Sequence, residues 1–410
     1  MTMTTRVLIS GASVGGPAAA YWLARSGFDV TVVEKAEAVR GGGYPIDLRG
    51  VAIEVVARMG VLDAVRARHI ATGRVTAVSR SGRRIASIPA PAEFGPAGPT
   101  ADLELPRGEL TALLFEASRD HAEYVFGDSI AALQQDGAAV QVTFESGRQG
   151  TYDLVVGADG VHSNTRRLAF GPEEAYHRYL GHSFIGFSVP NTYGLDREVV
   201  LANSPGALAA LYAAGSRPDL HVLLAFRTRM PERAELADRS YQRRMARAAF
   251  ARGGSWTDRL LDALDEADDL YVDTVSQIVM PTWHRGHVAL IGDAAAAPSF
   301  LSGEGTSLAI VGAYVLAAEL GGRDPGSAML GYERRLRDYV RRNQALASTS
   351  RRFLIPATRA ELVLRDCGLR LGPLLIRSGL LDRALRTAAN AVELPDPPAR
   401  WSQQAASRIE

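Results

Sequence analysis

The sequence predicts an α/β fold: a Rossmann-like, parallel-sheet domain interleaved with a mostly β-sheet domain, followed by C-terminal helices. Three observations predict it. A complete strand–helix–strand opening occupies Val7–Glu34. A second aliphatic strand ends in Asp-Gly at Asp153–Gly160. Far along the chain, Val288–Ile291 returns to the same strand style, followed by Gly292-Asp293 and a small-residue loop closing in Gly303-Glu304-Gly305. Short apolar runs that stop at glycine suit a parallel sheet buried on both faces. Strand-like runs between these segments argue a second sheet. The expected division is residues 1–73, 101–172 and 281–350 for the first domain, 74–100 and 173–280 for the second, and 351–410 for the helices.

The chain has 410 residues, 47% hydrophobic and 22% charged. That is an ordinary globular composition, with enough length for more than one domain. A net charge of +1 gives no field that would draw nucleic acid or a membrane surface. Cys367 is the single cysteine, so disulfides, a Cys-x-x-Cys pair and a thiolate metal cluster are excluded. Its helical setting, Leu362–Leu371, predicts a buried small hydrophobe. No run reaches the length of a membrane span, and no apolar leader precedes Arg6, so a cytoplasmic setting is expected. No His/Cys/Asp cluster has ligand spacing, so no metal is expected. No Gly-x-Ser-x-Gly marks a nucleophile, and no catalytic side chain is assigned.

Val7–Ser10 reads as the first strand, Gly11-Ala12-Ser13-Val14-Gly15-Gly16 as a turn, Pro17–Arg25 as a helix, and Phe28–Val33 as the second strand, ended by Glu34 and Lys35. Gly11 allows the tight turn, and Gly16 lets helix and strand approach closely. A pyrophosphate would sit at the helix N-terminus, where free amides and the dipole favour anions. Glu34 is placed to accept a bond from an adenosine ribose hydroxyl, which argues against a 2′-phosphate. The middle glycine of the usual fingerprint is Ser13 here.

Arg40–Tyr44, with three consecutive glycines, reads as a loop on which backbone approaches a flat ligand. Val51–Met59 reads as a helix stopped by Gly60. Val75–Arg80 and Arg84–Ile88 read as a hairpin about Ser81-Gly82, and Ala90–Thr100 as a loop. Arg107 opens a helix running to about Ala117. Val140–Phe144 and Thr151–Val156 flank a turn at Ser146-Gly147. Ser183–Val189, Val199–Ala202, Leu208–Tyr212 and His221–Phe226 read as strands, Ser240–Leu264 as helical, and the chain from Gly331 as arginine-rich helix with a solvated charged face.

In this order, Gly11–Glu34, Asp153–Arg166 and Gly292–Gly305 resemble the class A, para-hydroxybenzoate hydroxylase-like FAD monooxygenases, including tetracycline-inactivating and polyketide aromatic hydroxylases. The likeness spans nearly the whole chain. It implies that Gly11, Ser13, Gly15, Gly16, Glu34 and Lys35 hold the ADP part of FAD. It implies that Arg107 opens the cofactor-contacting helix, and that Asp159 and Gly160 serve both FAD and NAD(P)H. Asp293 would contact the ribityl chain, and Gly303, Glu304 and Gly305 would put a helix N-terminus at the flavin pyrimidine ring, where reduced flavin carries negative charge. The sequence departs from the family at Ala296, usually histidine, at Ser299-Phe300, usually Pro-Pro, and at Glu304, usually glutamine. An anionic Glu304 is expected to point away from the flavin.

The resemblance further implies that NADPH or NADH, bound transiently, reduces FAD. A flavin C4a-hydroperoxide formed from O₂ then oxygenates a small aromatic or polycyclic substrate. Phe184, Phe187, Tyr212 and Phe226 are the candidate substrate-lining residues. A monomer or homodimer is expected, with no nucleic-acid or membrane partner. The alternatives are a flavin-dependent reductase of double bonds and a flavin-bound protein that sequesters its ligand without turnover. A halogenase is disfavoured because Trp256 and Trp283 stand alone, with no Trp-x-Trp-x-Ile-Pro segment.

Overall fold

A computed structural model describes residues 4–41, 43–89, 102–137, 139–213, 218–251, 253–370, 380–398 and 401. Gly42 and the expected loop Ala90–Thr100 lie outside the described residues. At the centre is a six-stranded sheet in the order His284–Arg285, Val288–Leu290, Leu154–Gly157, Arg6–Ser10, Asp29–Glu34, Glu123–Phe126. All its pairings are parallel except that between the first two strands. Val7–Ile9, Val155, Val156 and Val288–Leu290 are buried, as a sheet covered on both faces requires. The helix Gly305–Leu320 is buried from Ser307 to Leu320 and packs against Gly15–Arg25, Val51–Arg58 and Pro325–Leu354. An apolar surface all round is what lets a helix lie inside the molecule.

The second large sheet has seven strands, in the order Tyr271–Ile278, His177–Pro190, Asp219–Arg227, Ala207–Ala213, Glu198–Ser204, Arg74–Val78, Arg84–Pro89. One face packs beneath the helices Arg239–Ala249 and Ser255–Glu266. The other meets Phe300 and Leu301 of the loop between Gly292 and Gly305, together with Ala347 and Ile355 near the end of the helix Pro325–Leu354. A two-stranded ribbon, Pro45–Leu48 with Leu103–Pro106, puts Ile46, Leu48, Leu103 and Leu105 into the central core and leaves Asp47 paired directly with Glu104 on its other face. A three-stranded antiparallel sheet, Ile130–Gln135, Val140–Phe144 and Gln149–Tyr152, lies to one side.

Several local expectations are revised. Ser240–Leu264 is two helices, broken at Gly254, whose φ of +89° favours glycine. The strand expected from Ser183 begins at His177, because a register shift between Tyr179 and Ser183, with Gly181 at φ +82°, interrupts the alternation. Cys367 is exposed: its helix, Arg359–Arg370, lies on the surface and buries none of its residues.

Candidate cofactor and substrate site

The parallel strands deliver their loops to one edge, where ligands of open α/β sheets bind. Gly11 follows Arg6–Ser10, Glu34 ends Asp29–Glu34, Asp159 and Gly160 follow Leu154–Gly157, and Asp293 follows Val288–Leu290. Gly11 has φ +105°, and a Cβ on it would lie 2.7 Å from the Ala158 carbonyl oxygen. On Gly16 a Cβ would lie 1.8 Å from the Gly11 carbonyl oxygen. The helix Gly15–Arg25 therefore begins in a cradle with room only for backbone. Its first turn has no side-chain cap and no acidic residue, so its free amides suit an anion. Ser13 is exposed at the turn, and Lys35 is exposed just past the second strand. Glu34 closes the turn from below: Ala12 N–H donates to its Oε2 at 2.8 Å and Ala36 N–H to Oε1 at 3.0 Å.

Asp159 is occupied locally. The Thr165 amide and hydroxyl donate to its Oδ2 at 2.8 and 2.9 Å, and the Ser163 hydroxyl donates to Oδ1. It thus fastens the loop at Gly160, φ +82°, to the start of the helix Asn164–Phe170. Arg166, fully buried, donates to the Val161 carbonyl at 2.6 Å, to Glu173 Oε2 at 2.9 Å and to the Ala294 carbonyl at 3.0 Å. It ties the Asp-Gly loop to the residue after Asp293. The sequence motif contains Arg166 without marking its role. Its position within Asp159–Arg166 was the available signal.

Asp293 is partly buried, and its Oδ1 has no hydrogen-bond partner. Burial pushes its carboxyl up to about 6, against the lowering effect of the Arg107 guanidinium. Arg107 opens the helix Arg107–Ser118 and lies 5.6 Å from the Tyr44 ring centroid. The helix Gly305–Leu320 starts without a side-chain cap, and a Cβ on Gly305 would meet Asp293 Oδ1 at 3.4 Å. Glu304 is fully buried and turned into the protein, where Arg49 Nη1 donates to its Oε1 at 3.1 Å. Burial raises the Glu304 carboxyl to about 7, and Arg49 opposes the rise. Arg49, Tyr44 and Asp273 were not singled out from the sequence. Arg49 and Tyr44 flank a ribbon with no motif of its own, and Asp273 comes from the other sheet.

Asp273 and Glu173 grip His162, which follows the Asp-Gly pair. His162 Nε2 is 3.1 Å from Asp273 Oδ1 and Nδ1 is 2.8 Å from Glu173 Oε1. Those hydrogen bonds, Asp273 first, raise the imidazole to about 10. The Tyr271 hydroxyl donates to Asp273 Oδ2 at 3.2 Å. The strand Tyr271–Ile278 is thereby joined to the nucleotide-side loop.

Of the candidate substrate residues, Phe184 and Tyr212 lie on the sheet face that meets the Gly292–Gly305 loop, and Phe184 packs 4.6 Å from Phe300. Burial holds the Tyr212 hydroxyl well above its ordinary range, with Glu104 and Asp47 adding to the rise. Phe187 and Phe226 are corrected. Both lie on the opposite face, packed under the helices, with Phe226 6.0 Å from Phe250. Side chains alternate along a strand, so Phe184 and Phe187, three positions apart, cannot share a face. No group of three or more metal-ligating side chains occurs among the described residues. No described helix is long and apolar enough to cross a membrane.

This combination fits FAD: a backbone cradle, two uncapped helix starts converging on one edge, and an orphaned carboxyl oxygen between them. Comparison with known proteins agrees. Residues 4–349 match the FAD binding domain family. The chain is 34% identical over 397 residues to a flavin-dependent monooxygenase from an unknown prokaryotic organism, covering 97% of this chain and 100% of that protein. It is 41% identical over 348 residues to an uncharacterized protein, Rv1260, of Mycobacterium tuberculosis (strain ATCC 25618 / H37Rv), covering 83% of this chain and 92% of that one. Its fold matches the crystal structure of tetracycline destructase Tet(55) with TM-score 0.83 and 33% identity, covering 97% of this chain and 100% of the other. The FAD complex of Klebsiella pneumoniae HpxO with uric acid shares the fold at TM-score 0.73 and 24% identity, over 93% of this chain and 97% of the other. With its three loops, its uncapped helix starts and these relatives taken together, the chain belongs to the FAD-dependent monooxygenases.

Proposed function

We propose that this monooxygenase uses NADPH or NADH and O₂ to hydroxylate a small aromatic or polycyclic molecule lying between the Gly292–Gly305 loop and the sheet face of Phe184 and Tyr212. The balance is substrate, O₂, NAD(P)H and a proton to hydroxylated substrate, NAD(P)⁺ and water. The observation that carries the reading is the contact of Phe300, on the cofactor loop, with Phe184, on the second sheet. It supports aromatic walls beside the segment at which the resemblance would set the flavin pyrimidine ring. When bound, FAD supplies hydride acceptance and oxygen activation. The helix start at Gly15 would take the pyrophosphate, Glu34 the ribose, Asp293 the ribityl chain, and the helix start at Gly305 the pyrimidine edge. Phe184, Phe300 and Tyr212 would position a flat substrate and keep water out. The similarity to a tetracycline destructase favours a polycyclic, phenol-bearing substrate. The reading includes a cytoplasmic enzyme acting as monomer or homodimer.

The test is a visible spectrum of the purified protein, then NAD(P)H oxidation in air with and without a panel of polyphenols and polycyclic phenols. A flavin spectrum with substrate-stimulated oxidation and an oxygenated product is expected. Bound FAD with a saturated product and no oxygen consumption would move the assignment to a reductase. Bound FAD and bound ligand without turnover would move it to sequestration.

A further inference from the structure

The Gly303-Glu304-Gly305 segment carries a feature that FAD binding alone does not need. A fully buried carboxyl stands one residue before the helix Gly305–Leu320, at its positive end. Its partner, Arg49, comes from the far side of the chain and is held by several contacts. Nη1 is 3.1 Å from Glu304 Oε1, Nη2 is 2.8 Å from Asp47 Oδ2, and Nε is 3.4 Å from Asp102 Oδ2. The Arg49 amide also donates to Ser307 Oγ on the first turn of that helix, at 3.3 Å. Gly303, at φ +71°, lies directly over the guanidinium: a Cβ there would be 2.9 Å from Arg49 Nη1 and 3.2 Å from Asp47 Oδ2. The groups facing Glu304 are Asp47 from the ribbon, Arg49 just past it and, across from them, Tyr339 on the helix Pro325–Leu354. The cluster is rich in carboxylates, and Arg49 is shared among three of them.

Hydride transfer brings two electrons and one proton, and so adds one negative charge to the flavin. A helix N-terminus favours that charge. A carboxylate at the same helix start opposes it, and opposes it strongly where the surroundings are dry. Arg49 cancels the carboxylate.

We propose that Arg49 is a positioning residue that neutralises Glu304, and that the pair sets the reduction potential of the bound flavin. This rests on the reading that places the flavin pyrimidine ring at Gly305. Arg49 thus leaves the helix start free to stabilise the reduced cofactor, and the pair replaces the neutral glutamine that the family usually carries at this position.

The test is the midpoint potential of the bound flavin, followed spectroscopically in the holoprotein during slow reduction with a reference dye. Wild type, Arg49→Met, Glu304→Gln and the double variant are compared. Arg49 holds the Glu304 carboxyl down, so its loss lifts that carboxyl above 7. Arg49→Met is therefore expected to lower the potential at alkaline pH, where Glu304 is ionised, and to leave it little changed at pH 6. Glu304→Gln is expected to raise the potential. The double variant, which removes both charges of the pair, should return to about the wild-type potential. Potentials equal to wild type at alkaline pH in both single variants, with a bound flavin spectrum still present, would overturn the proposal while leaving FAD binding intact. If Arg49→Met fails to fold, an unchanged potential in Glu304→Gln overturns it alone. A wild-type protein that takes up no FAD overturns the underlying reading of the site instead.

Discussion

Gly16 shows how much of the site is decided by single atoms. Any side chain there collides with the Gly11 carbonyl, 1.8 Å from a built Cβ. Gly16→Ala is therefore expected to push helix from strand and destabilise the protein by about 1–3 kcal/mol. Denaturant unfolding measures this, and FAD affinity should fall in parallel. That demand was legible in the sequence because it is local: turn, helix and acid lie within one strand–helix–strand unit. Asp293 makes a different prediction. Burial lifts its carboxyl to about 6 in the folded apoprotein, above the ordinary aspartate value. Between about pH 4 and pH 6 this group binds more proton in the folded protein than in the unfolded chain, so its contribution to stability falls as pH rises through that window and levels off above it. Asp293→Asn should flatten this slope in apoprotein unfolding curves. An identical slope in the variant would mean that another group is responsible. Asp293 was readable from its motif, whereas its unpartnered Oδ1 belongs to the fold and has no trace in the sequence.

At the level of the element, the strand His177–Pro190 turns Phe184 and Phe187 to opposite faces of its sheet. Phe184 faces Phe300 and the cofactor loop, whereas Phe187 faces the helices. Phe184→Leu and Phe187→Leu should each cost on the order of 1 kcal/mol of stability. Only Phe184→Leu should raise KM for the substrate, and steady-state kinetics of the two variants would show this. A KM change in Phe187→Leu alone would reverse the assignment of faces. The pairing of Phe184 with Phe187 as joint lining residues ignored the two-residue period, which the sequence did contain. What it did not contain was the register shift near Gly181, or the direction each face would take. Those depend on the helices Arg239–Ala249 and Ser255–Glu266 covering one side. Cys367, expected to be buried, is exposed for a related reason. Helical spacing shows that an element forms, but the surface beneath it decides what is buried.

At the scale of the molecule, the central sheet gathers three loops that are far apart in sequence, and chain order alone could suggest this because each loop ends a parallel strand. The bracing could not be read that way. Trp401 returns from the far end of the chain to stack 4.5 Å from Trp22, and its Nε1 donates to Ser26 Oγ at 2.8 Å. Arg25 Nη2 donates to the Trp401 carbonyl at 2.9 Å. The contact clamps the helix Gly15–Arg25 at the end away from the expected pyrophosphate position. Trp401→Ala is expected to cost about 3 kcal/mol, with a lower thermal midpoint and weaker FAD retention on gel filtration. A midpoint equal to wild type would show that the end of the chain is not a brace. Long-range features of this kind, like the Arg49–Glu304 and His162–Asp273 pairs, join segments that no local pattern links. The fate of oxygen distinguishes a monooxygenase from a reductase or a sequestering protein. The most direct measurement is mass spectrometry of the product formed under ¹⁸O₂ with NAD(P)H and whichever phenolic compound stimulates its oxidation. One ¹⁸O atom in the product, with FAD bound, is the predicted result. A product without label, or turnover that continues in the absence of O₂, would contradict it.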